Sequence, residues 1–458
     1  MSESAHTFDV VVLGGGSGGY AAALRAAELG KSVALIEKDK VGGTCLHRGC
    51  IPTKALLHTA EIADHVREAA SVGVDADLQG IDIARTTAYR EGIVSKKYRG
   101  LQSLISGRGI TVIAGGGRLE TDRSVTVAGE TYRGADVILA TGSRTRTLPG
   151  IDVGGRVLTS DTALTLDVVP ASVVILGGGV IGVEFASVWR SFGAEVTIVE
   201  ALDHLLPAED VASSKTLERA YRRRGIQARL QTRCEGVTQT DAGVSVALSD
   251  GTSVDAEYVL VAVGRGPVTD GLGFEEAGVA LERGFVSVDD QLQTSVPHVW
   301  AVGDIVAGLQ LAHRGFQQGI FVAEVIAGLR PVPVPETTIP RVAYSHPEVA
   351  SVGLTEAQAR ELHGNRVSAY EYNLAGNGKS EILGTSGIAK VVRLADGPII
   401  GVHLVGDRVG ELITEGQLAV GWEAHPEDLA PLIHAHPTQS EALGEAFLAL
   451  AGKPLHTI

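Results

Sequence analysis

The chain has 458 residues, 44% of them hydrophobic, three cysteines and a formal net charge of −15. That length and apolar content exclude a disordered chain and predict two or more domains with ample cores. The charge leaves no electrostatic footprint for nucleic acid and favours a basic protein partner, and no apolar run approaches the ~18 residues of a membrane span, so a soluble cytoplasmic protein is expected.

Phe8–Leu13 reads as a buried strand. It is followed by Gly14-Gly-Gly16-Ser-Gly-Gly19, an Ala-rich helix over residues 20–29, and a second strand, Ser32–Ile36, that ends at Glu37. Strand, glycine turn, helix, strand and acid together form a dinucleotide fingerprint. Gly14, Gly16 and Gly19 give the tight turn and close approach to pyrophosphate, the helix N-terminus faces the phosphates, and the acid binds a ribose hydroxyl.

Next comes Gly42-Gly-Thr-Cys45-Leu-His-Arg-Gly-Cys50-Ile-Pro-Thr-Lys54-Ala-Leu-Leu57, with two of the three cysteines five residues apart. An ideal helix separates residues i and i+5 by roughly 8–9 Å, and a disulfide needs its Cα atoms within about 7 Å. If Cys45 and Cys50 pair, the chain around them departs from a regular helix, and Gly49 permits that. Pro52 suits the first turn of the following helix. Cys50 then stands at a helix N-terminus, where free N–H groups favour a thiolate, and Lys54 lies on the same face one turn on. Two free, buried thiols acting as small hydrophobes would also fit this spacing.

Residues 75–135 carry a helical stretch and a short strand-rich meander containing Gly115-Gly-Gly117. The fingerprint then recurs: the strand Ser172–Leu176, Gly177-Gly-Gly179-Val-Ile-Gly182, a helix to about Phe192, and Glu195–Val199 ending in Glu200. First glycine to acid spans 23 residues in both copies. A smaller echo agrees, since Asp136–Ala140 with Thr141-Gly142-Ser143-Arg144 matches Tyr258–Val263 with Gly264-Arg265. Two such units imply two dinucleotides, so that a hydride can pass between a flavin and a nicotinamide. Glu200 suits a ribose 2′-hydroxyl, and residues 201–206 hold no Arg for a 2′-phosphate, which favours NAD over NADP.

Val299–Ala301 leads into a Gly303-Asp304 turn, and Pro331-Val-Pro-Val-Pro335 reads as a linker. Beyond it, Arg341–Glu356 opens a last region with strands over Gly387–Leu394 and Ile399–Val405 and helices near 408–420 and 439–451. Near its end stands Ile433-His434-Ala-His436-Pro-Thr-Gln-Ser-Glu441. An imidazole with an ordinary pKa near ~6.5 suits a base for thiols, and a carboxylate that fixes its tautomer improves it. His436 and Glu441 are the candidates for these roles, with His434 in support.

These motifs run through essentially the whole chain and together resemble the flavin-dependent pyridine nucleotide–disulfide oxidoreductases, with most similarity to members that oxidise dihydrolipoamide. The resemblance implies an α/β fold with two Rossmann-like domains, for FAD and NAD, and a C-terminal α+β dimerisation domain. Expected boundaries are 1–147 and 269–335 for the FAD-binding and central parts, 148–268 for the NAD domain and 336–458 for the interface domain. It implies a redox-active Cys45–Cys50 pair, and a homodimer in which His436 serves the cysteines of the other subunit. Lys54 is implied to pair with Glu184 near the flavin, while Asp304 binds the ribityl chain and Leu311 and Ala312 lie beside the isoalloxazine ring. Gly43, Thr44, Gly117, Thr141, Gly142, Ser143, Ile181 and Gly264 complete the implied cofactor-binding set.

The implied substrate is dihydrolipoamide on the lipoyl domain of an acyltransferase or on a glycine-cleavage carrier, within a 2-oxoacid dehydrogenase complex. Cys234 reads as packing. Mercuric reductases carry a further C-terminal cysteine pair and soluble transhydrogenases lose the paired cysteines, so this chain resembles neither. A non-catalytic scaffold would have no reason to keep Cys45, Cys50, His436 and Glu441 together. The departure from the family pattern is His47-Arg48 between the cysteines, where relatives more often have Asn-Val; it adds positive charge there.

Overall fold

The computed structural model describes residues 6–456, in two compact units. The first takes in the chain up to Ala55, Ala84–Arg146 and Arg265–Glu336; the second takes in Leu56–Ile83, Thr147–Gly264 and the chain from Thr337 on.

In the first unit β1 (His6–Leu13), α1 (Ser17–Glu28) and β2 (Val33–Glu37) form a parallel βαβ crossover. On the other side of β1 lies β3 (Glu130–Leu139), also parallel, with Val299–Ala301 beyond it and Thr111–Ala114 at the far edge beside β2. Val10, Val11 and Val12 are fully buried, as expected of a parallel strand covered on both faces. The order reverses between β2 and β3 around β1, so β1 ends at a topological switch point, where such sheets bind ligands. α1 begins three residues before the expected start, because Gly16 already caps it and the Tyr20 N–H bonds Gly16 O at 2.9 Å. The glycines form its first turn because another helix, Ala312–Ile326, passes there: a Cβ on Gly319 would stand 2.3 Å from Gly18 O.

The cysteine segment forms two helices, α2 (Gly43–Arg48) and α3 (Cys50–Glu68). Gly49 between them has φ −144° and ψ −111° and breaks the run. The Thr53 N–H and hydroxyl both bond Gly49 O, at 3.1 and 2.6 Å, so α3 opens at Cys50 with Pro52 in its first turn.

The second unit repeats the crossover as β4 (Ser172–Leu176), α4 (Val180–Phe192) and β5 (Glu195–Val199). Gln227–Arg229 lies beyond β5, and Tyr258–Val261 then Val157–Leu158 lie on the other side of β4, all parallel. The unit also holds a five-stranded antiparallel sheet in the order Arg341–Ala343, Glu348–Gly353, Ile399–Gly406, Ile388–Leu394, Val367–Asn373. One face packs on Val409–Gly421 and α5 (Glu441–Leu450), burying Ala442, Leu443, Ala446 and Phe447.

The other face of that sheet carries a polar row, because side chains alternate along a strand. Arg341, Ser351, His403 and Lys390 are register partners on successive strands. Facing them, Glu209 accepts from Arg341 Nε at 3.0 Å, and Asp210 caps the helix Val211–Arg223 while accepting from Lys390 Nζ at 2.8 Å. Lys390 also reaches Glu356 at 2.8 Å. Lys390→Met removes the cation from two carboxylates, one of them 3% exposed. An uncompensated buried charge of this kind costs about 3–5 kcal/mol, read as a lowered midpoint of chemical unfolding; a loss under ~1 kcal/mol, as for an exposed pair, would show the row to be solvated.

Candidate active site

Both glycine turns are built the same way. A Cβ on Gly14 (φ +106°) would stand 2.3 Å from Ala140 O, and on Gly177 (φ +110°) 2.5 Å from Ala262 O. On Gly19 and Gly182 it would stand 1.9 and 2.0 Å from the carbonyl oxygen of the first glycine. These four positions are closed by the chain itself. The middle glycines differ: a Cβ on Gly16 or Gly179 would meet nothing within 4 Å, and each caps its helix without a side-chain bond. Each helix N-terminus therefore faces open space at the switch point, which fits a pyrophosphate.

The acids brace these turns. Glu37 accepts from the Gly15 and Asp39 N–H groups at 2.7 and 2.8 Å, and Glu200 from Gly178 and Leu202 at 2.6 and 2.8 Å.

The cysteine segment abuts the first turn. The Gly42 N–H bonds Gly15 O at 2.8 Å, and a Cβ on Gly43 would stand 2.7 Å from Gly16 Cα. Thr44, Cys45 and Cys50 are half-buried, and both cysteines are free thiols. Cys45 hydrogen-bonds to Cys50. That bond, then burial and the charge on Cys50, push the Cys45 thiol far above its ordinary pKa, against the opposing pull of Lys54 and Ser17. Of the two sulfurs Cys45 is therefore the one held protonated, and Cys50 stands at the α3 N-terminus. Burial and the two sulfurs also raise Tyr20 to about 12. Between the cysteines, the His47 ring is tied by Nε2 to Val41 O at 3.0 Å and lies edge-on to Tyr98, 5.0 Å between centroids. Arg48 pairs with Asp39 at 2.9 Å, which offsets the charge expected at this position.

Thr141, Gly142 and Ser143 follow β3. Thr141 Oγ1 donates to Val268 O and Ser143 Oγ to Asp304 Oδ2, each at 2.5 Å. Leu311 caps the helix that begins at Ala312. Gly117 is filled in by packing, since its Cβ would stand 2.6 Å from Leu13 Cδ1. Three residues that hold this region were not singled out from the sequence. Arg265 donates to Ser143 Oγ and O at 2.7 and 2.8 Å, Gln318 accepts from the Gly303 N–H at 2.8 Å, and buried Arg314 donates to Ala307 O at 2.6 Å. The Arg and Gln among the small and apolar residues Gly315, Phe316, Gly319 and Phe321 of that helix were the available signal.

In the second unit Glu184 is 3% exposed and accepts from the Tyr344 N–H at 3.0 Å. Ile181 is half-buried in the first turn of α4, and Gly264 (φ +97°) has open space where a Cβ would stand. Cys234 packs half-buried at the start of a strand, Cys234–Gln239. His436 Nδ1 meets Glu441 Oε1 at 2.8 Å, and Glu441 Oε2 accepts from the Thr438 N–H at 2.8 Å. Burial acts to raise Glu441, but the Thr438 and His436 bonds outweigh it and hold the carboxyl below its usual range. An ionised Glu441 makes Nδ1 the donor and leaves Nε2 as the free acceptor, the arrangement of a general base. The His436 side chain is 79% exposed, whereas His434 is tied to Glu415 at 2.9 Å and held above its ordinary pKa by that bond.

The structure thus gathers the first glycine turn, the cysteine pair, Lys54, Ser143 and Asp304 in one unit. The second glycine turn, Glu184 and the His436–Glu441 pair belong to the other. Among the described residues no helix is long and apolar enough to cross a membrane, and no His/Cys/Asp/Glu group could hold a metal.

A dihydrolipoyl dehydrogenase of Bacillus subtilis is 41% identical to the chain over 470 residues, covering 98% of this chain and 99% of that one. Among solved structures, LpdA of Mycobacterium tuberculosis matches with a TM-score of 0.90 and 28% identity over 97% of this chain and 99% of that one. The HOCl-induced flavoprotein disulfide reductase RclA of Escherichia coli matches with a TM-score of 0.85 and 29% identity over 96% and 99%. The family described as pyridine nucleotide-disulphide oxidoreductase matches residues 8–319, and its dimerisation domain matches residues 339–447. The chain belongs to the pyridine nucleotide-disulphide oxidoreductase family, whose dihydrolipoyl dehydrogenases use FAD and NAD.

Proposed function

We propose that the protein is a homodimeric dihydrolipoyl dehydrogenase, oxidising dihydrolipoamide and reducing NAD⁺. The observation that carries this reading is the hydrogen-bonded Cys45–Cys50 pair, at the start of α3 and packed against a dinucleotide turn.

The chain's own residues set the sequence of bond changes, starting from a Cys45–Cys50 disulfide. The partner subunit's His436, its Nε2 free, takes the proton of one substrate thiol. The resulting thiolate attacks Cys45, forming a mixed disulfide and expelling Cys50 as thiolate, which the α3 N-terminus and Lys54 stabilise. The second substrate thiolate then attacks the substrate sulfur of the mixed disulfide. The cyclic disulfide closes, and Cys45 leaves and takes back a proton. Two electrons now reside on the cysteine pair and one proton has gone to solvent.

FAD, held by Gly14, Gly16, Gly19, Glu37 and Asp304 with Gly43, Thr44, Gly117, Thr141, Gly142, Ser143, Leu311 and Ala312, supplies two-electron relay chemistry between that pair and the nicotinamide. NAD is held by Gly177, Gly179, Ile181, Gly182, Glu200 and Gly264. Glu441 holds the His436 tautomer. The domain division at 147/148, 268/269 and 335/336 belongs to the same reading.

Because Gly16 and Gly179 face open space, Gly16→Val folds but is colourless, and Gly179→Val keeps its flavin. The KM of Gly179→Val for NAD⁺ rises ~10-fold or more, the worth of one lost charge-assisted hydrogen bond. Flavin spectra and steady-state kinetics check both, and flavin-replete Gly16→Val would sink the assignment of the first turn. The functional reading is tested by NADH formation from dihydrolipoamide with NAD⁺ and NADP⁺ in parallel. Preference for NADP⁺, or reduction of a disulfide by NADPH with no dihydrolipoamide oxidation, would make it a reductase of another small disulfide.

A further inference from the structure

The long helix Ile83–Gly107 carries five basic residues and one acidic residue, in a chain whose net charge is −15. Three of its cations, Lys96, Lys97 and Arg99, fall within four positions and are exposed. None of the three has an ion pair among the described residues. Elsewhere arginines such as Arg25, Arg48, Arg118, Arg133 and Arg224 are paired with carboxylates. The helix also touches the redox segment: the Tyr98 ring lies edge-on to His47, 5.0 Å between centroids, and His47 is two residues after Cys45. At ~100° per residue, Lys97 and Arg99 flank Tyr98 on either side. Lys97 and Arg99 therefore lie to either side of the point where this helix meets the cysteine segment, and Lys96, ~200° from Tyr98, lies on the opposite, outer face.

We infer that Lys96, Lys97 and Arg99 form the docking surface for an acidic carrier domain that presents the dithiol on a flexible arm; this rests on the reading of the preceding subsection. The charge of the whole chain repels an acidic domain at long range. Productive encounter then needs a local positive field, and that field has to lie beside the sulfur that receives the arm. Lys97 and Arg99, on either side of the residue that meets His47, supply such a field, and Lys96 extends it outward. A basic partner would find no complement there.

The test compares the holoenzyme with its Lys96→Glu/Lys97→Glu/Arg99→Glu variant. Substrates are free dihydrolipoamide and the reduced lipoyl domain of a 2-oxoacid dehydrogenase acyltransferase. Expected is an unchanged kcat/KM for the free dithiol and a fall of about tenfold for the carrier at low ionic strength. The gap closes toward ~1 M salt, where the Debye length shrinks to about 3 Å. A Lys96→Gln/Lys97→Gln/Arg99→Gln variant falls in between. Equal effects on both substrates, or none on the carrier, overturn the surface while leaving the activity standing; so does duplex DNA retained by these cations with carrier rates unchanged. Failure of the unmodified holoenzyme to oxidise free dihydrolipoamide overturns the activity and the surface with it.

Discussion

Cys45→Ser and Cys50→Ser each lose dihydrolipoamide oxidation by ~10⁴-fold or more, the scale on which enzymes respond to losing a nucleophile that acts as part of a unit, and each keeps its flavin. Cys45→Ser removes the sulfur that forms the mixed disulfide. Cys50→Ser removes the leaving thiolate, so no enzyme disulfide exists for the substrate to attack. Neither serine needs new space, and neither cysteine holds the fold: both are half-buried, and Gly49 rather than a sulfur bond shapes the break between α2 and α3. NADH formation and flavin absorbance per chain check the pair. Loss of flavin together with activity would mean that these thiols act in cofactor binding instead.

His436→Gln lowers kcat/KM for dihydrolipoamide by ~10²–10⁴-fold, the usual contribution of a positioned general base. It leaves oxidation of NADH by an artificial dye acceptor within about twofold, since that half of the cycle needs no thiol proton. Glu441→Gln follows in the same direction with a smaller loss. An amide still accepts from the Thr438 N–H but no longer stabilises an imidazolium through Nδ1. If His436→Gln slowed both half-reactions equally, the histidine would be acting on the fold or the dimer. Mixing inactive Cys45→Ser and His436→Gln chains adds a readout. With the base supplied by the second copy, a mixed dimer regains one working site; with the base in the same chain it regains none.

The α/β class and both dinucleotide units were legible because their signals are local. A glycine turn between a buried strand and a helix, with an acid at a fixed distance, is written in consecutive residues. The Gly49 break and the His436–Glu441 bond were legible for the same reason, each lying within six residues of chain. What escaped is cross-chain. Arg265 bonds Ser143 across 122 positions, and Lys390 meets Asp210 across 180, so no window of sequence contains both members of either pair. The start of α1 was misplaced because a glycine run reads as a turn, whereas close passage of the Gly315–Gly319 stretch makes those glycines the first turn of a helix. Arg48 read as added charge because its partner Asp39 sits nine residues back, beyond the motif.

The most direct measurement is a thiol count under anaerobic conditions. Oxidised holoenzyme is mixed with excess dihydrolipoamide and freed of it, then denatured and titrated for thiols, with and without a prior chase by NAD⁺. The expected result is a gain of two thiols per chain at Cys45 and Cys50, reversed by NAD⁺ with stoichiometric NADH. A count that stays constant while NADH still forms would show that electrons bypass the cysteine pair.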